Sequence, residues 1–383
     1  MTGEKIGVGI IWANPERGWA VGAHIPALRA LPAYELRAVS TSRRETADAA
    51  GALFGVPAFD SHHGLLARDD IDLVVVSVKT PMHRELVTAA IEAGKAVYCE
   101  WPLGRDSKEA EALASLARAR ALPAFVGLQA RSAPAVRQLR DLIAEGYVGE
   151  VLSTTLVASG APWGDVVDQA NAYVHDRANG STMLSIPAGH TIDAMCWCLG
   201  EFVSLSATLA VRRPSVTVLE TGEKITKTAA DQIVIGGLLE SGAVAAIHFR
   251  GGQSRGTNFL WEINGSEGDL SLSAANGHLQ IAASAVRGGR GSDSTLRDIA
   301  LPSRYVAAPE IPEGRPFNLG QAYSMLAQDL REGSRHCPTF DDAVVRHRML
   351  DLVTQAAESG ERWSASPQEG AFRLTAPLAN HRP

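Results

Sequence analysis

The chain has 383 residues, 45% of them hydrophobic and 20% charged, with a net charge of −6. That is enough apolar material for two or three globular units, and the acidic balance excludes a general binder of nucleic-acid backbones, which needs a basic face. No apolar run approaches the roughly 20 residues of a membrane helix. Met1 to Ile11 reads as the approach to a strand, not as a signal peptide. Four cysteines, Cys99, Cys196, Cys198 and Cys337, form no disulfide framework, and the one-residue gap between Cys196 and Cys198 fits neither a redox nor a zinc motif. No metal site is expected, and reduced thiols point to the cytoplasm.

From Lys5 to about Gln129 strand and helix patterns alternate. Ile6–Ile11 is a strand, Val21–Leu31 a helix stopped by Pro32, Tyr34–Ser40 a strand, and Arg44–Phe54 a helix closed by Gly55. Leu73–Val78 is nearly all valine, as expected of a parallel strand buried on both faces. Pro81 opens a helix that Gly94 closes. A strand starts at Ala96, a helix covers Glu109–Arg120, and a strand covers Ala124–Leu128. This alternation predicts an α/β fold with a doubly wound parallel sheet over residues 1–128.

After Arg131 the pattern changes. A helix is expected over Pro134–Glu145. Strands are expected at Glu150–Ala158, Val203–Val211, Ile233–Leu239, Ala243–Phe249, Leu260–Asn264 and Asp269–Leu272. Helices are expected at Ser181–Leu199, Leu319–Glu332 and Asp341–Glu358. Arg212–Ala230 reads as a long connection or hairpin, and Arg287–Ser294 as a mobile loop. Residues 129–383 therefore read as an α+β unit with a large, mostly antiparallel open sheet.

In open α/β sheets, ligands bind beyond the carboxyl ends of the strands. Four such ends carry chemistry. After the first strand, Trp12 and Asn14 stand where a dinucleotide fold wants glycines, and Gly18 and Trp19 follow late. An ordinary β–α loop and a degraded phosphate loop are both open readings. The second strand ends Ser40-Thr41-Ser42-Arg43 with no acidic residue for a ribose 2′-hydroxyl. Hydroxyls and guanidinium groups suit a 2′-phosphate, which favours NADP(H) over NAD(H). Lys79-Thr80-Pro81-Met82-His83 is a stop-and-turn signal, with His83 either packing or facing a ligand. Ala96–Leu103 ends in Glu100-Trp101-Pro102, where a nicotinamide ring would lie. In the second unit His190 sits three residues before Asp193 on a helical face, and its ordinary pKa near 6.5 suits proton transfer.

These motifs, with Leu128-Gln129-Ala130-Arg131, Gly189–Asp193, Gly265–Leu270 and Pro338–Ala343, resemble the Gfo/Idh/MocA family (glucose–fructose oxidoreductase, inositol dehydrogenase and kin). Within it the chain is most similar to the branch containing the fungal galactose-regulon corepressor, sharing Gly18-Trp19-Ala20, Glu100-Trp101, Gly146–Gly149 and Phe249–Gly252. The resemblance implies a Rossmann domain, a sheet that supports homodimers or homotetramers, and hydride transfer between nicotinamide and a sugar carbinol. Glu100 and Pro102 fall on the family's Glu-Lys-Pro, His190 on its catalytic histidine, and Gln129 on its cofactor side. Trp101 replaces the lysine, and Ile186 occupies the position of an aspartate. An indole N–H donates one hydrogen bond and moves no proton, so His190 must take more of the acid/base work, with Tyr173 or Asp176 assisting. Lys79 could also reach the ring. Trp101, Arg131, Trp163, Tyr173, Asp176 and His190 are the candidate sugar contacts. The alternatives are a non-catalytic dinucleotide sensor and a glycoside-cleaving enzyme that uses transient oxidation.

Overall fold

The computed structural model describes residues 4–365; Met1, Thr2 and Gly3, at the head of the segment expected not to be a signal peptide, lie outside them. The first layer runs β1 (Ile6–Ile11), α1 (Ile25–Ala30), β2 (Tyr34–Ser40), α2 (Arg44–Phe54), β3 (Ala58–Phe59), α3 (His62–Leu66), β4 (Leu73–Val76), α4 (His83–Glu92), β5 (Ala96–Glu100), α5 (Ser107–Ala119) and β6 (Ala124–Gly127). Its strands pair in parallel in the order β3-β2-β1-β4-β5-β6. The order reverses between β1 and β4, which opens a crevice at their carboxyl ends. All four residues of β4 are buried, as a strand covered on both faces requires.

The second layer adds α6 (Pro134–Ala144), β7 (Val151–Gly160), β8 (Val166–Val167), α7 (Gly189–Leu199), β9 (Phe202–Ala210), β10 (Ser215–Val218), β11 (Lys224–Thr226), β12 (Gln232–Leu239), β13 (Val244–Gly251), β14 (Phe259–Gly265), β15 (Gly268–Ala274), β16 (Ser284–Arg290), β17 (Arg297–Asp298), α8 (Arg315–Glu332), α9 (Phe340–Ser359) and β18 (Trp363–Ser364). Nine strands form one sheet, β17-β16-β15-β14-β7-β13-β12-β9-β18, antiparallel except for the β7–β13 pair. The stretch Arg212–Ala230 is a hairpin, β10 and β11, that pairs with β8 in a small separate sheet.

The expected mobile loop at Arg287–Ser294 is a correction. Residues 284–290 form β16, paired with β15 along its length. Gly288 is there for close packing, since a Cβ would lie 2.8 Å from the Tyr147 hydroxyl and 2.7 Å from Ile299. The strand expected to reach Val78 stops at Val76, where the Ser77 N–H turns to Ile11 O. Side chains set other boundaries. Asp106 caps α5 by accepting the Glu109 N–H at 2.9 Å, so that helix starts at Ser107. Thr339 and Asp342 form a capping box on α9.

Two helices begin with a wide, π-type turn. Ala20–His24 precedes α1, and Leu184–Ala188 precedes α7 around Pro187, which has no N–H to offer. Both turns feed the region where the layers meet. The late helices return to the first layer: α8 packs on α1, and α9 packs on α5. No helix among the described residues is long and apolar enough to cross a membrane.

Candidate active site

The turn after β1 keeps the backbone of a glycine loop without the glycines. Trp12 has φ +74°, a left-handed conformation that an L-residue adopts at a cost of roughly 1–2 kcal/mol. Its N–H and that of Ala13 both donate to Ser40 O, at 2.8 and 2.9 Å. Asn14 Oδ1 accepts the Glu16 and Arg17 N–H groups. The loop is therefore shaped from within, and the amides left for an anion are those of the helix start at Trp19. Gly18, at φ +108°, makes the turn into that start.

At the end of β2, Thr41 is committed to the loop itself, donating to Arg43 O and accepting from Thr46. Arg44 pairs with Asp48 at 2.7 Å. Ser42 and Arg43 are exposed, and Arg43 has no partner among the described residues.

At the end of β5 the Glu100 carboxylate lies over Gly127, where a Cβ would come within 3.0 Å of Oε1. Its other neighbour is His24, a residue the sequence reading missed. His24 Nε2 sits 3.1 Å from Glu100 Oε1, off the hydrogen-bond direction, while Nδ1 meets the Tyr323 hydroxyl at 2.7 Å. His24 is fully buried, and its ring packs edge-on to Tyr98 and Tyr323.

Several expected ligand contacts have other work. Trp101 is 5% exposed, its indole N–H donates to Ser185 O at 2.6 Å, and its ring packs on His347. It supports the turn that carries His190 and is no open wall for a sugar. A Cβ at Gly189 would lie 3.0 Å from Trp101 Nε1, so the helix approaches this close only on a glycine. His83 is buried between the carbonyls of Pro102 and Val78, and burial lowers its pKa. Its single N–H bonds one of these carbonyls, the other nitrogen is enclosed as well, and neither is offered to a ligand. Arg131 holds Asp193 with two 2.7 Å bonds and Asp342 with a third of 3.0 Å. Burial opposes its charge, but Asp193 and Asp342 outweigh that and raise its pKa. Asp176 is exposed, caps the Ala178 N–H and accepts from Thr228. Trp163 is 2% exposed and bonds Val174 O.

Other expected residues do converge. Thr80 Oγ1 meets Ser181 Oγ at 2.6 Å, joining the turn after β4, which Pro81 shapes, to the segment before α7. Tyr173 also bonds Ser181; burial first raises its pKa and that bond lowers it, leaving a net rise, so it stays a phenol. Lys79 Nζ lies 4.6 Å from the centre of the Tyr173 ring. His190 is 3% exposed with no partner on Nδ1, and burial, then the nearby His278, pushes its pKa down to about 3. It is a neutral imidazole at any working pH.

Four buried polar atoms without partners border the crevice region: Trp19 Nε1 after β1, Ser77 Oγ after β4, Gln129 Oε1 after β6, and His190 Nδ1 from the second layer. Buried polar atoms are rarely left unpaired, and three after strands of the parallel sheet with a fourth from the second layer fit a polar ligand such as a dinucleotide. Among the described residues no cluster suits a metal ion.

Comparison with known proteins agrees with this geometry. Residues 8–128 match the model of an oxidoreductase family with an NAD-binding Rossmann fold, and residues 134–274 match the Gal80p C-terminal domain. The dehydrogenase aclE of Aspergillus oryzae is 34% identical, over 86% of this chain and 88% of its own. The chain belongs to the Gfo/Idh/MocA oxidoreductase family. Levoglucosan dehydrogenase of Pseudarthrobacter phenanthrenivorans is 27% identical over 79% of the chain and 82% of its own. A solved structure of a Gal80p super-repressor mutant from Saccharomyces cerevisiae superposes with a TM-score of 0.85, at 22% identity, over 95% of this chain and 99% of that one. The fold is thus that of Gal80p and of the family's dehydrogenases alike.

Proposed function

We propose that this family member is an NAD(P)-dependent oxidoreductase acting on a carbinol of a sugar or sugar derivative. The carrying observation is His190: a buried imidazole, kept neutral, with an unpaired nitrogen at the crevice. A bound nicotinamide supplies the hydride acceptor or donor. On oxidation, the unpaired His190 nitrogen would accept the hydroxyl's hydrogen bond and then its proton as the hydride leaves carbon, which requires the bound complex to raise its pKa from about 3. Tyr173, held as a phenol by burial and steadied by Ser181, donates a hydrogen bond to a substrate oxygen, with the Lys79 cation beside it. Glu100, placed by Gly127 and His24, would be one of the residues that hold the nicotinamide ring. His190→Ala is expected to lower kcat by roughly 10²–10⁴-fold with cofactor affinity unchanged, read as nicotinamide absorbance over a panel of sugars. Equal rates for the variant and the parent would remove His190 from the chemistry.

We favour NADP(H), because Arg43 is exposed and unpaired beside Ser42 where a 2′-phosphate would lie. Arg43→Ala is expected to weaken NADP binding about 10–100-fold, the value of one charge-assisted hydrogen bond. NAD binding should barely change, and equal losses for the two cofactors would end the assignment.

A second reading, a dinucleotide-binding regulator without turnover, is favoured by the commitment of the Trp101 N–H to Ser185, which leaves no lysine-like group at that position. It predicts cofactor binding with no sugar oxidised. In either reading we propose that copies pair through the outer face of the nine-stranded sheet. There Thr155, Ser206, Thr208, Val234, Val244 and Ala246 are exposed across neighbouring strands in register.

A further inference from the structure

The segment that follows β15 carries a second histidine, set against Trp163. Gly277 lies so close to the end of β7 that a Cβ would fall 1.8 Å from Ser159 O. Asn318, from α8, donates its side-chain N–H to Gln280 O at 3.1 Å. The His278 N–H donates to Asn276 Oδ1 at 3.0 Å. The segment is thus pinned from two sides and turned by Asn276 within it. It presents His278 half-buried, its ring stacked on Trp163 with centroids 5.9 Å apart and planes 23° from parallel. Trp163 is itself fixed by its bond to Val174 O, one residue from Tyr173.

We infer that His278 is a second substrate-facing imidazole, donating its Nε2–H to a hydroxyl oxygen of a sugar held against His190. This rests on the sugar oxidoreductase reading and adds a residue to it. The Gln280 amide lies 3.4 Å from His278 Nδ1. With that amide donating, the ring proton belongs on Nε2, the nitrogen left for a ligand. His278 lies close enough to His190 for the charge of one to bear on the other, and burial pushes its own pKa down to about 4. Both rings are therefore neutral together at neutral pH, so one can accept a hydrogen bond or proton while the other donates. A vicinal pair of sugar hydroxyls, or a carbinol and its neighbour, matches two such rings. The buried Trp163 ring behind His278 fixes the plane of the imidazole and makes no sugar contact itself. The donor that Trp101 cannot supply at the end of β5 is thereby provided from the opposite layer.

Two substitutions separate contact from packing. His278→Phe keeps the stack on Trp163 and loses the N–H. His278→Gln loses the stack and keeps an amide N–H near the same place. With a sugar that turns over, His278→Phe is expected to lower kcat/KM by roughly 10–100-fold, the value of a hydrogen bond that strengthens at the transition state. His278→Gln should lose less than ~5-fold, and NAD(P)H affinity should stay the same in both. The reverse order, with Phe tolerated and Gln not, would overturn the contact and leave His278 a packing residue. Should the parent chain bind sugars without oxidising any, the oxidoreductase reading fails alone. The same order is then read in sugar dissociation constants of the NADPH-loaded protein. Equal binding by parent and His278→Phe, or no sugar binding by the parent, would overturn the proposal.

Discussion

Asp193→Ala should lower the unfolding free energy by about 3–5 kcal/mol, the usual result of removing one partner from a buried ion pair. Asp193 is completely buried and faces two guanidinium groups. Arg131 grips both of its oxygens at 2.7 Å, and Arg346 Nε approaches at 3.4 Å. Arg346 is 1% exposed, and its other contacts are Glu201, at 2.7 and 3.2 Å, and the Cys196 sulfur at 3.4 Å. Removing the carboxylate leaves two buried cations with Glu201 and Asp342 as their remaining acidic partners. The arrangement links α7, the turn after β6 and α9, so its loss should loosen the helix that carries His190 as well. Asp193→Asn keeps the shape and removes the charge. It should therefore lie nearer to Ala than to the parent in a urea titration. A loss below ~1 kcal/mol would mean that water enters and screens the two cations, and the network would then count as a surface pair. His190→Ala, one helical turn away, removes a ring with an unpaired nitrogen and should cost far less stability. The two variants thus divide structure from chemistry on a single helix.

That division was only half legible in the sequence. The alternation up to Gln129 fixed the parallel sheet, because valine-rich four-residue strands and Gly-terminated helices have few other readings. The strand ends that carry Glu100, Thr80 and Ser40 followed from the topology. Arg131 and Asp193 were visible as polar residues near the site, but the sequence does not say that they face each other. Spacing of 62 positions carries no signal of pairing, so Arg131 passed for a substrate contact. Trp101 stayed open between packing and a sugar wall for a similar reason: whether an indole lines a cleft or lies beneath a helix depends on how close that helix comes. Gly189 decides this, and its meaning appears only with Trp101 Nε1 in place. His24 and His278 were missed because each lies outside any motif, on a wide helical turn and after a strand. The one available hint for His278 was the glycine before it. Trp12 shows the opposite case: the loop has a left-handed residue where glycine was expected, and the side chain hid a glycine-like backbone shape from a pattern-based reading.

Mild acid should unfold this protein through its buried histidines. His175, His190 and His347 are 0%, 3% and 4% exposed. Burial drives their pKa values down, to about 4 for His175 and His347 and about 3 for His190. His278, at about 4, joins them. The unfolded chain takes up these protons as the pH falls through about 6.5, whereas the folded chain refuses them until near 4 or below. More protons on the unfolded state mean that stability falls with falling pH across that window. Each histidine contributes a slope of about 1.4 kcal/mol per pH unit. The first three together give on the order of 4 kcal/mol per unit near pH 5. Against a typical total of roughly 5–15 kcal/mol, a melting series should show cooperative unfolding between about pH 5 and 4. Carboxylates held below their usual range, such as Asp342 beside Arg131, act in a separate window: their contribution is present above the unfolded carboxylate pKa and is lost as pH falls through their folded values. His175 isolates the effect. Neither of its ring nitrogens makes a hydrogen bond of good geometry, and after burial the Lys227 ammonium is the next influence opposing its protonation, with Asp231 acting the other way. His175→Phe removes one proton from the balance and leaves no partner unpaired. It should gain about 2 kcal/mol relative to the parent at pH 5, with little change at pH 7, so the two stability curves should converge as pH rises. Parallel curves would show that His175 is already protonated in the fold, with its charge answered by Asp231.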